Sequence, residues 1–114
     1  MKHHAQPPLP TAALYILLAL AREDMHGYGM IQEVARQSND NYRIGPGTLY
    51  DNLKKLMEQK LVIDAPRSAR AKDDARRFYR ITTAGKAVLS AEVQRMQTIV
   101  LEARLRLHEG TQRA

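Results

Sequence analysis

The sequence predicts a mainly α fold with a small β-hairpin, and three observations carry that expectation. Apolar residues recur at helical spacing in three short segments before residue 60 and in one long segment after residue 82. Between them lie two short runs rich in β-branched or aromatic residues, Leu61–Ala65 and Arg76–Thr82, which read as strands. The apolar fraction is 44%, with no Trp and with Phe78 as the only phenylalanine, so the core must be aliphatic and suits helices packed on helices.

Residues 1–10 hold three prolines, two histidines and no apolar period, and are expected to form a flexible arm. A first helix is predicted from Thr11 to Arg22, with Thr11 as N-cap and Leu14, Leu17, Leu18 and Ala21 at helical spacing. The run Thr11–Ala21 mimics the apolar part of an export signal, but it is far too short to span a bilayer, and a buried helix is the expected fate. A second helix is predicted over Gly27–Gln37. Met30, Ile31, Val34 and Ala35 form its inner face, while Glu33, Arg36 and Gln37 face water. Ser38-Asn39-Asp40-Asn41 breaks it.

Tyr42-Arg43-Ile44 reads as a short extended piece. Gly45-Pro46-Gly47 is a turn that runs directly into a third helix, Pro46–Gln59, with Pro suited to the first turn and Leu49, Leu53 and Leu56 in register. Pro66–Ala75, polar and charged, joins the two strands as a mobile loop. A long helix from Thr83 to Leu107 closes the series. Three helices, a hairpin and a long helix make the plan of a winged helix-turn-helix: a flexible arm over 1–10, the winged domain over 11–82, and a C-terminal helix and tail over 83–114.

Net charge is +6, and residues 61–82 alone carry +3, around Arg67, Arg70, Lys72, Arg76, Arg77 and Arg80. A basic balance is compatible with an anionic partner, nucleic acid or an acidic membrane surface, as well as with plain solubility; its concentration on the loop of a winged plan makes double-stranded DNA the expected partner. Cysteine is absent, which excludes disulfides, Cys-based zinc sites and thiol nucleophiles. None of the four histidines pairs at i, i+4, and no nucleotide-binding or nucleophile-elbow motif occurs, so neither an enzymatic activity nor a cofactor is expected. His26 reads as a helix-start residue.

With Leu49, Leu53 and Leu56 inward, the third helix presents Gly47, Thr48, Asp51, Lys54, Lys55 and Glu58 outward, with Tyr50 on the flank. The first turn of such a helix reaches base edges in the major groove. Thr48 and Asp51 suit that role, and Lys54 and Lys55 suit phosphates. Arg67, Arg70, Lys72, Arg76 and Arg77 would let the hairpin loop reach the neighbouring groove or track phosphates. In the last helix Leu89, Val93, Met96, Val100, Ala103 and Leu107 alternate in steps of four and three, a heptad seam fit for homodimerisation. A twofold dimer would set two recognition helices about one DNA turn apart, roughly 34 Å. A protein-interaction module, and a sensor with an apolar effector site between subunits, stand as the alternatives.

Three segments resemble the PadR family of winged helix-turn-helix regulators: His26-Gly27-Tyr28-Gly29-Met30-Ile31, Gly45-Pro46-Gly47-Thr48-Leu49-Tyr50 with Leu53, Leu56 and Lys60-Leu61-Val62, and Arg77-Phe78-Tyr79-Arg80-Ile81-Thr82-Thr83-Ala84-Gly85. The resemblance covers roughly residues 12–107. It implies dimeric repressors of palindromic promoter sites, some released by phenolic or other small apolar effectors; a cytoplasmic location, which the lack of cysteine fits, and no membrane association are expected beside it. It assigns recognition-helix roles to Thr48 and Tyr50, wing roles to Arg76 and Arg77, and the second-helix tyrosine role to Tyr28. Two departures stand out. Met30 replaces an Ile or Leu, and Lys60 replaces the usual Gly after the third helix, where a positive φ would be strained. A single C-terminal helix matches the shorter members of the family.

Overall fold

The computed structural model describes residues 8–66 and 75–113, with side chains to 108. Its elements are α1 (Thr11–Leu20), β1 (Met25–His26), α2 (Gly27–Gln37), α3 (Pro46–Glu58), β2 (Val62–Asp64), β3 (Phe78–Ile81) and α4 (Thr83–Arg113). The strands form one antiparallel sheet in the order β1-β3-β2, with Met25 opposite Tyr79 and Val62 opposite Ile81.

Helix α1 is the hub of the core. It is apolar on most sides, burying Ala12, Ala13, Ile16, Leu17, Ala19 and Leu20, and it packs on α2, α3, α4 and β3. Met30 and Val34 of α2, Leu49, Leu53 and Leu56 of α3, and Val62, Tyr79, Ile81 and Leu89 complete the core. The inward leucines of α3 sit as their spacing predicts, which fixes the opposite face of that helix toward solvent.

Several local expectations are corrected. Thr11 lies inside α1 because Leu14 N–H reaches the Pro10 carbonyl at 3.0 Å, which puts Pro10 at the cap position, where its ring has no atom to accept a bond. The helix also stops at Leu20, two residues before Arg22. Glu33 and Gln37 are half-buried and do not simply face water: Glu33 accepts from Arg36 Nη2 at 2.7 Å and from Gln37 Nε2 at 2.9 Å. Tyr42-Arg43-Ile44 is not a strand. Ser38 Oγ claims the Tyr42 backbone instead, accepting from its N–H and donating to its carbonyl, both at 2.9 Å, and the Tyr42 ring stacks on Tyr15 at 5.1 Å.

The exit from α3 shows the strain that Lys60 forecasts. Lys60 has φ 62°. Its N–H reaches the Met57 carbonyl at 3.0 Å and Leu61 N–H reaches the Leu56 carbonyl at 2.9 Å, the paired bonds of a Schellman stop. Thr82 then clamps this turn to the sheet, donating from Oγ1 to the Lys60 carbonyl at 2.8 Å and from N–H to the Leu61 carbonyl at 3.0 Å. At Gly85 any Cβ would run into the Leu61 carbonyl oxygen, so the first turn of α4 seats here only with glycine.

The last helix runs six residues past its predicted end, to Arg113. At 1.5 Å per residue it is about 46 Å long. Leu89 and Glu92 are buried against the domain, whereas Val93, Ile99, Val100, Leu101, Leu105 and Leu107 are exposed. No helix among the described residues is long and apolar enough to cross a membrane.

Candidate nucleic-acid interface

Helix α3 begins without a side-chain cap. Gly45 occupies the cap position in an extended conformation, and Pro46 follows as the first helical residue. The first-turn N–H groups of Gly47 and Thr48 therefore have no partner within the helix, and they meet solvent at the positive end of its dipole. Neither Gly45 nor Gly47 needs to be glycine for internal reasons: both have negative φ, and a Cβ on either would meet nothing within 4 Å. Thr48 and Asp51 are exposed beside them, as their spacing predicts. Asn52 Nδ2 donates back to the Thr48 carbonyl at 2.8 Å, which leaves the Thr48 hydroxyl unengaged by that bond.

Tyr50 is half exposed, and its hydroxyl end lies against the backbone of Gly27, where a Cβ would collide with it. This contact ties the first turns of α2 and α3 together. Tyr28, at 65% exposure, projects from the same turn of α2. That turn is set by His26, whose Nδ1 accepts from Gly29 N–H at 3.1 Å and whose ring meets Phe78 edge-on at 5.2 Å. His26 is thus a capping residue that also belongs to β1, and it joins α2 to the wing.

Lys54 and Lys55 are both exposed, but they point to different sides of α3. Lys54 lines a cleft of about 500 Å³ with Tyr50, Leu53, Met57, Glu58, Arg77 and Tyr79, between α3 and the hairpin. Lys55 lines a smaller recess of about 210 Å³ under Pro8, Leu9 and Pro10. Residues 8–10 above that recess are tied to α4: Leu9 N–H donates to Glu92 Oε2 at 3.1 Å, and Arg95 donates to the same carboxylate at 2.9 Å. The Arg95 bonds, with help from Leu9, hold the Glu92 carboxyl below the usual range.

The basic cluster divides. Arg67, Arg70 and Lys72 lie outside the described residues. Arg76 is exposed, with its guanidinium 5.8 Å from the centre of the Phe78 ring. Arg77 lies over the Tyr79 ring at 5.0 Å and donates from both Nε and Nη2 to the carboxylate of Asp64. Arg80 is drawn away from the wing by a bidentate pair with Asp24, at 3.0 and 2.8 Å. Sequence reasoning missed Asp64 and Asp24 as partners. Asp64 carried one signal, its place just before the loop with Arg77 just after it, and Asp24 carried none.

The seam on α4 is also divided. Leu89 is buried in the core of its own domain, so the exposed part of the seam starts at Val93. From there Val93, Met96, Val100 and Leu101 line a shallow apolar groove, flanked by Gln97 and Arg104.

Three helices, a small sheet with its wing, and an exposed second helix of the turn define a winged helix-turn-helix with a long C-terminal helix. Residues 16–91 match the Transcriptional regulator PadR-like family, and the chain belongs to that family, one of transcription regulators. It is 35% identical over 89 residues to the transcriptional regulator Rv3488 of Mycobacterium tuberculosis, covering 78% of each chain. Among solved structures, the putative transcriptional regulator TA0346 of Thermoplasma acidophilum superposes with a TM-score of 0.64 at 30% identity, over 86% of this chain and 91% of that one. The Bacillus subtilis PadR structure, solved in complex with operator DNA, superposes with a TM-score of 0.62 at 17% identity, over 74% of this chain and 47% of that one.

Proposed function

We propose that this regulator binds double-stranded DNA as a homodimer and represses transcription from a palindromic promoter site. One observation carries the reading: the first turn of α3 is uncapped and exposed, is led in by glycines with no internal role, and stands beside a basic wing. Helix N-termini of this kind accept phosphate, and the adjoining side chains read base edges. Thr48 and Asp51 are assigned to bases, with Tyr50 placed to act through its packing on Gly27. Lys54, Lys55, Tyr28, Arg76, Arg77 and the loop residues Arg67, Arg70 and Lys72 are assigned to the backbone. The Bacillus subtilis relative, solved with operator DNA, supports this use of the fold.

Homodimerisation is supported by α4. Beyond Glu92 the apolar residues Val93, Ile99, Val100, Leu101, Leu105 and Leu107 are exposed, and two copies packed through Val93, Met96, Val100, Ala103 and Leu107 would bury more of that face. Residues 11–82 then act as the DNA-binding unit and 83–114 as the dimerisation element, in the cytoplasm where DNA is accessible. A small apolar effector seated between subunits would regulate the dimer; it would raise the unfolding temperature in a compound screen.

The test is a gel shift with DNA from upstream of the protein's own gene, at two salt concentrations and with competitor DNA. A band that survives competitor and weakens at higher salt is the expected result. Loss of the band to competitor leaves only charge attraction at that site. No shift from a folded dimer would sink the reading and favour a protein-interaction module.

A further inference from the structure

The wing arginine that should face DNA is already occupied. Arg77 gives two of its five donors to the Asp64 carboxylate. The pairing is built into the sheet. Asp64 lies opposite Tyr79 across the β2–β3 ladder, and Arg77, two residues before Tyr79, projects from the same face. The Tyr79 ring lies beneath the guanidinium at 5.0 Å and limits where it can turn. Both partners remain accessible, with side chains 61% and 56% exposed. The Arg77 side of the cleft between α3 and the wing therefore presents a neutral pair, and Glu58 adds a further carboxylate to its lining. Asp64 is correspondingly held below the usual carboxylate range by its bonds from Arg77.

We infer that Asp64 is a brake on DNA binding: by pairing with Arg77 it withholds one wing cation from the phosphate backbone and sets a negative charge beside it. This rests on the DNA-binding reading above and deepens it. DNA either takes the guanidinium from Asp64, which removes the pair, or leaves the pair intact and gains no net charge contact. In both cases the loss is common to all sequences, because phosphates carry no sequence information. An exposed pair of this kind is worth at most about 1 kcal/mol, so its removal is expected to raise affinity by up to about fivefold per wing. Exposure also means that Asp64→Asn should fold normally.

The test measures the affinity of the full chain for a 30-base-pair duplex of arbitrary sequence across a salt series, in a double-mutant cycle. Asp64→Asn is expected to bind a few-fold more tightly than wild type, with the salt slope steeper by about one unit per wing. In an Arg77→Ala background the same substitution should give little beyond the gain from Glu58→Gln, which makes the same change of net charge in the same cleft without touching the pair. An equal gain with and without Arg77 would overturn the brake, since generic charge would then explain it. Weaker binding by Asp64→Asn would overturn it too, and would make Asp64 a residue that positions Arg77 for phosphate. A wild-type chain that binds no duplex at low salt would instead defeat the DNA-binding reading, and the brake with it.

Discussion

Gly47→Ala separates what α3 needs to fold from what it needs to bind. A Cβ at Gly47 meets no protein atom within 4 Å, and the residue has no positive φ to relieve. The fold should therefore gain from alanine. Glycine inside a helix is less stable than alanine by about 0.5–1 kcal/mol, and a first-turn site takes the lower part of that range. A gain of about 0.5 kcal/mol would raise the unfolding temperature by roughly 2–4 °C in a domain of this size. DNA sees the opposite effect. The added methyl stands at the end of α3 where its free N–H groups would meet a phosphate, and loss of one such hydrogen bond to a charged group costs about 1.5–3 kcal/mol. That corresponds to roughly 10–150-fold in affinity per copy. Thermal unfolding and a binding titration on the same preparations would show the two signs. Unchanged or tighter DNA binding by Gly47→Ala would refute the placement of this turn against the backbone. A fall in stability would refute the claim that the glycine has no internal role.

Lys60→Gly should stabilise the protein by about 0.5–1 kcal/mol: relief of the left-handed conformation gains about 1–2 kcal/mol, and the added freedom of the unfolded chain offsets about half of that. The Thr82 clamp uses only backbone carbonyls at residues 60 and 61, so it survives, and a lowered unfolding temperature would show that the Lys60 side chain has a role of its own. Val100→Glu should turn the chain monomeric in sedimentation, because it sets like charges on the exposed α4 face, and its DNA affinity should drop at least tenfold; a dimer that persists would move the interface elsewhere. Acid should destabilise the fold over a defined window. Glu33, lowered to about 2 from 4.5 chiefly by its bonds from Arg36 and Gln37, contributes stability in full above about pH 4.5 and loses it as pH falls toward 2. Glu92 and Asp64, also lowered, act in the same direction. Glu33→Gln should flatten the fall in unfolding free energy between pH 4.5 and 2.5, and an unchanged slope would show that other carboxylates set it.

The helices were legible because each obeys a local rule. Leu49, Leu53 and Leu56 announce both the existence of α3 and the face it exposes, and the inferred outer residues Thr48, Asp51, Lys54 and Lys55 are all exposed. The strained exit at Lys60 was legible too, since it needs only the helix end and the residue type. What escaped is non-local. Strand β1 is two residues long, too short to alternate, and exists because β3 offers Met25 and His26 a partner more than fifty residues away. Asp24 and Arg80 lie 56 positions apart, and nothing near either predicts the other. Tyr42 had the composition of a strand, but Ser38 four residues before it bound its backbone first. The end of α4 was placed early because the apolar period fades after Leu107 while the helix runs on to Arg113.

The division of α4 bears on how a dimer would work. Leu89 is fixed in the core, Glu92 holds both the arm at Leu9 and its own neighbour Arg95, and Val93, one residue further, already faces outward. Buried contacts and the exposed face thus meet within a single helical turn, with no glycine or proline between them. Such a helix has no hinge at that point, so its direction is set by the winged domain. Gly85, pressed against the Leu61 carbonyl, fixes the first turn of α4 to the exit of α3. The chain of contact from the α4 face to α3 therefore runs through packed backbone at residues 85, 61 and 60. A rotation of α4 against its partner would have to move the base of the proposed recognition helix with it, which gives a dimer of this chain a direct physical route from its interface to the spacing of its two α3 helices.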